Sequence, residues 1–120
     1  MHELALSQSI VDLVVGCAQT EGMRTVTRVV VEIGVAAGVD PEALRFCFGI
    51  VADDTAARGA ELAIIPVALG ARCRKCLREF APPRLMTPCP SCGAYGSDLV
   101  IGRELRVKSF DGEYEEVPNV

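Results

Sequence analysis

The sequence predicts an α+β chain with a small metal-binding segment inserted towards its C-terminal end. Three observations carry this prediction. Apolar residues recur at helical spacing near the N-terminus and again after Asp40. Residues 25–34 and 60–67 have the β-branched, alternating character of strands. Two Cys-x-x-Cys pairs, Cys73 with Cys76 and Cys89 with Cys92, then stand twelve residues apart. Together they give two helices on a three-stranded sheet, with an inserted four-cysteine zinc ribbon of rubredoxin-like type. The expected division is residues 1–70 for the α/β part, 71–97 for the metal segment, and 98–120 for a return strand with an acidic tail.

Composition narrows the function classes. The chain has 120 residues, half of them hydrophobic, so one small core is within reach. Its net charge is −4 and its aromatic share 5%. A general nucleic-acid binder is normally basic, and a base-stacking platform needs more rings. The opening Met1-His2-Glu3 lacks the positive region of a secretory signal. The apolar run 62–71 falls well short of the ~20 residues of a membrane span. A cytoplasmic chain with reduced thiols is expected, with no membrane or nucleic-acid partner.

In chain order, Leu6, Ile10, Leu13, Val14 and Cys17 share a helical face, and Gly22 is a stop signal. Cys17 reads as a small core residue, since no second histidine exists to activate it. His2 is the single histidine and lies beside the α-amine. Amine, imidazole and the intervening amide nitrogens are close enough to chelate Ni²⁺ or Cu²⁺ in a nitrogen-rich, square-planar site. On the dipeptide alone, a solvated side chain without a role is the preferred account.

Residues 25–34 read as a strand, with Val29, Val31 and Ile33 on one side and Arg28, Val30 and Glu32 on the other. Asp40-Pro41-Glu42 is a helix start: an N-cap acid, a proline at the first position and a carboxylate at the positive end of the dipole. Leu44, Cys47, Phe48 and Val51 form the core stripe of that helix. Gly49 costs it about 1 kcal/mol against alanine and is expected to mark a close backbone approach. Asp53-Asp54 reads as a solvated helix end, and Gly59 as the stop. Residues 60–67 form a second strand, placed at an edge by Pro66.

The cysteine quartet can set four thiolates at the corners of a tetrahedron, the closed arrangement of structural Zn²⁺. Iron shares that geometry. Disulfides would need an oxidising compartment, and redox chemistry needs only one pair. Pro90 and Gly93 suit the tight turn of the second pair. Zn²⁺ binding contributes about 10–16 kcal/mol in finger peptides, enough to fold so short a segment. Arg72, Arg74, Lys75 and Arg78 read as solvated charges that partly offset a zinc tetrathiolate. Residues 99–101 and 104–110 read as strands returning to the first sheet, and from Asp111-Gly112 onward an acidic, frayed tail carries Glu113, Glu115 and Glu116.

The chain as a whole resembles the HypA/HybF hydrogenase nickel-incorporation accessory proteins. The likeness rests on Met1-His2-Glu3, on residues 40–46, on Gly59-Ala60-Glu61-Leu62, on the two cysteine pairs, and on residues 102–107. It implies nickel at Met1, His2 and Glu3, through the α-amine, the imidazole and backbone amides. It also implies zinc at Cys73, Cys76, Cys89 and Cys92. It further implies Ni²⁺ delivery, with a partner GTPase, to the large subunit of [NiFe]-hydrogenase, and a nickel-binding domain of two helices on three strands beside the zinc domain. A homodimer is left open. Gly49 departs from the resemblance, which has a larger, often acidic side chain there. The competing reading is a zinc-ribbon module for protein or nucleic acid, with His2 inert. An enzyme is not expected: the sequence offers no acid–base pair, no phosphate loop and no open metal position.

Overall fold

A computed structural model describes residues 3–114. The first element is helix α1, Glu3–Thr20, which starts with an acid in its first turn, where the helix dipole favours one. It runs out at Gly22, whose φ of 77° only glycine adopts freely. Its buried face is Ser7, Ile10, Val11, Val14 and Ala18. This corrects the expected stripe, for Leu13 and Cys17 are exposed. Two small residues on the buried face, Ser7 and Ala18, account for the rotation. Ser7 is fully buried and its hydroxyl donates to the Leu44 carbonyl at 3.3 Å, so α1 lies close against the following helix.

That helix, α2, spans Pro41–Ala52. Asp40 is its N-cap, with extended backbone and a carboxylate accepting from the Glu42 and Ala43 amides at 3.0 and 3.4 Å. Leu44, Phe48 and Ala52 are buried, and Cys47 is half-buried. The helix stops seven residues before Gly59. The Thr55 hydroxyl donates to the Ala52 carbonyl at 2.7 Å and accepts from the Ala57 amide at 3.1 Å, so a threonine replaces helical pairing with turns. Gly49 also differs from expectation: it is exposed, and a Cβ there would meet nothing within 4 Å.

Strand β1, Met23–Gly34, is the middle of a three-stranded sheet between β2, Glu61–Val67, and the last strand. Its central place explains why Val29, Val30 and Val31 are all buried despite pointing to alternate faces. β2 is an edge, which suits Pro66. Three short strands follow: β3, Gly70–Cys73; β4, Glu79–Phe80; and β5, Ser97–Ile101. They form a second antiparallel sheet in the order β4-β3-β5. β5 was expected to return to the first sheet, but it pairs Ala71 with Leu99 and Cys73 with Ser97. The return begins only after Gly102, whose amide donates to the Glu104 carboxylate at 2.7 Å in a turn.

The final strand, β6, is Leu105–Tyr114 and joins the first sheet beside β1. It runs through Asp111-Gly112, where an irregular tail was expected. Gly112 permits this, because a Cβ there would overlap the Thr25 carbonyl oxygen. The Thr27 hydroxyl donates to the Asp111 carbonyl at 3.3 Å. The described residues fall into two compact units: 3–31 with 39–65 and 106–114, and 32–38 with 66–105. Among the described residues, no helix is long and apolar enough to cross a membrane.

Candidate metal centre

The second unit brings the four predicted cysteines together. The sulfurs of Cys73, Cys76, Cys89 and Cys92 all lie within 4.8 Å of one another. Cys73 and Cys92 are 3.6 Å apart, as are Cys76 and Cys89. With Zn–S bonds of ~2.3 Å, a tetrahedral site has sulfur–sulfur edges of about 3.8 Å. The quartet is therefore pre-shaped for one small, soft ion, and its four thiols are free. Cys73 and Cys89 are buried, whereas Cys76 and Cys92 are exposed.

Two turns built alike hold the sulfurs. In the first, the Leu77 amide donates to the Cys73 carbonyl at 2.9 Å and the Cys73 amide to the Arg78 carbonyl at 2.9 Å. In the second, the Gly93 amide donates to the Cys89 carbonyl at 2.8 Å and the Cys89 amide to the Ala94 carbonyl at 2.9 Å. The residue after each second cysteine is left-handed, with φ of 64° at Leu77 and 74° at Gly93. Sequence reasoning found the glycine and missed the leucine. Aligning the two cysteine pairs, with Leu77 falling where Gly93 does, would have shown it.

The same turns aim amides at sulfur. The Cys76 amide, and less strongly the Lys75 amide, lower the Cys73 thiol against the opposing effect of burial. The Cys92 amide brings Cys89 down to about 6, again against burial and with help from the Ser91 amide. At Cys92 the Ala94 amide also pulls downward, but desolvation of its sulfur, which lies among the other three although the residue is exposed, and the crowding sulfurs of Cys73, Cys89 and Cys76 outweigh it, and the thiol is pushed up to about 11. This is the pattern of thiols that cannot all ionise together without a cation between them.

The nearby cations are partly committed. Arg72 pairs with Glu79 at 3.5 Å and Arg74 with Asp98 at 2.8 Å, both exposed contacts of small energetic weight. At the other candidate site, Met1 and His2 lie outside the described residues. Glu3 is described, and its carboxylate accepts the Asp40 amide at 3.2 Å. A capping box would place an acid three residues past the N-cap to do this. That position is Ala43, and Glu3 of α1 supplies the carboxylate instead.

Residues 1–112 match the family described as hydrogenase/urease nickel incorporation, metallochaperone, hypA. The chain belongs to the HypA family. The hydrogenase maturation factor HypA of Geotalea uraniireducens (strain Rf4) is 45% identical over 113 residues, 94% of this chain and 100% of the relative. That of Psychromonas ingrahamii (strain DSM 17664 / CCUG 51855 / 37) is 35% identical over 113 residues, 94% of this chain and 99% of the relative. The solution structure of HypA protein is 25% identical with a TM-score of 0.74, covering 96% of this chain and 98% of that one. The Ni metallochaperone HypA from Helicobacter pylori, also a solution structure, superimposes with a TM-score of 0.68 over 96% of this chain and 100% of that one. At 24% identity, that last likeness speaks for the fold.

Proposed function

We propose that this chain is a nickel carrier for [NiFe]-hydrogenase maturation, binding Ni²⁺ at Met1-His2-Glu3 and handing it, with a partner GTPase, to the hydrogenase large subunit. The observation that carries the reading is the family match over residues 1–112, which takes in both the terminal tripeptide and the cysteine quartet. The α-amine, the His2 imidazole and backbone amide nitrogens are the nickel donors. The Glu3 carboxylate already accepts the Asp40 amide, so Glu3 contributes its main-chain nitrogen to the ion and its side chain to the fold. Zn²⁺ takes Cys73, Cys76, Cys89 and Cys92; four thiolates leave it no open position, which makes it structural. The chain carries a metal rather than catalysing a reaction, and the cytoplasm keeps its thiols reduced.

The separation of roles has a direct test. His2→Ala is expected to abolish nickel binding while leaving about one zinc per chain and an unchanged circular dichroism spectrum. A variant that loses zinc or fold along with nickel would show that His2 is a structural residue.

A further inference from the structure

The second unit carries a groove that the four sulfurs do not use. Phe80, Pro82, Leu85, Met86, Tyr95 and Leu99 line it, together with the side chains of Arg74 and Arg84. Leu85 and Met86, on the loop between β4 and the second cysteine turn, are 55% and 86% exposed, and Tyr95, just after that turn, is 70% exposed. The three side chains share one groove rimmed by Arg74 and Arg84, and contiguous apolar surface with a polar rim is the form that partner-binding sites take. Met86 is also left-handed, with φ of 64°. The two cysteine turns, residues 73–78 and 89–94, do not require this of it. Met86 is the third residue of the turn 84–87, where a positive φ belongs, and this turn leaves its side chain facing outward. The loop is stiff: prolines 82, 83 and 88 bracket it, and the Thr87 hydroxyl donates to the Arg84 carbonyl at 2.6 Å. A stiff loop loses little entropy when it is covered, and methionine adapts to varied apolar partners.

Charge identifies the partner. Arg74 is already held by Asp98. Arg84 has no ion pair among the described residues, and it stands beside apolar side chains. A guanidinium so placed favours a carboxylate. We infer that this groove docks an extended acidic segment of a partner protein, with a bulky apolar side chain against Met86 and Tyr95 and a carboxylate on Arg84. A nucleic-acid strand suits it less well, since the groove offers a single exposed ring, Tyr95, on which a base could stack. The inference does not depend on where nickel binds.

The test is a selection from a random twelve-residue peptide library on the zinc-loaded chain, counter-selected on Met86→Ala/Tyr95→Ala. Both substituted residues are exposed, and zinc content and circular dichroism confirm that the variants are folded. Enriched peptides are expected to carry Leu, Ile or Phe flanked by Asp or Glu. Their dissociation constants should rise at least tenfold with Arg84→Glu and stay unchanged with Phe46→Ala on α2. No enrichment, a consensus without acids, or equal binding by Arg84→Glu would overturn the proposal. So would a single-stranded oligonucleotide whose binding, unlike that of the peptides, depends on Arg84.

Discussion

Leu77 and Gly93 occupy the same place in two turns of the same design, yet only one of them is the residue that a positive φ favours. A left-handed conformation costs an L-residue roughly 1–2 kcal/mol, part of which a glycine gives back as unfolded-chain entropy. Neither position has packing to confuse the comparison: Leu77 is 69% exposed and a Cβ at Gly93 would meet nothing within 4 Å. Gly93→Ala should therefore weaken the zinc-loaded unit by about 1 kcal/mol, and Leu77→Gly should strengthen it by about 0.5 kcal/mol. Chelator competition for zinc measures both. A change of the same sign in the two variants would mean that the turns are not equivalent. The thiols follow the same local logic, since the amides that these turns direct at Cys73 and Cys89 are what lower them.

Among the elements, helix α2 shows what could be read in advance and what could not. Asp40-Pro41-Glu42 is local chemistry, and the N-cap stands where the sequence placed it. The helix end was not legible, because Gly59 looked like the stop while the Thr55 hydroxyl had already ended the helix. Gly49 looked like a point of close approach and is instead open to solvent. Gly49→Ala should stabilise the first unit by about 0.5–1 kcal/mol, read from the thermal midpoint, because only helix propensity changes there. A loss of stability would reveal a contact on that face. Helix α1 was recognisable by its period, but which of its apolar residues faced inward depended on Ser7 finding the Leu44 carbonyl, a partner 37 residues away. The quartet was legible because ligand spacing is written in sequence. The strands β3 and β4 beside it were not, since two to four residues carry too little periodicity, and residues 99–101 were read as a strand without their partner β3.

Across the whole molecule, charge and stability are divided unevenly. Residues 32–38 and 66–105 hold six Lys and Arg against four Asp and Glu, while the rest of the chain holds six against twelve. A zinc tetrathiolate would bring the smaller unit close to neutral. That unit owns the cysteine quartet and three short strands, whereas both helices belong to the other. Removing zinc with a strong chelator should release hydrogen-exchange protection in residues 70–101 and leave the helical circular dichroism signal intact. If the helices melt at the same chelator concentration, the two units fold as one.

The central claim is that nickel is held by the chain terminus and not by the cysteines. Calorimetric titration of Ni²⁺ into two zinc-loaded preparations tests it most directly: one with the native Met1 amine, the other extended by a few residues ahead of it. The amine titrates near 7.7–8.0 and histidine near 6.5 in model peptides, and both must shed a proton to bind the ion. The native chain alone should therefore take up one Ni²⁺, with an affinity that falls as pH is lowered from 8 to 6. Equal binding by the extended chain would contradict the claim, because the ion would then not need the α-amine.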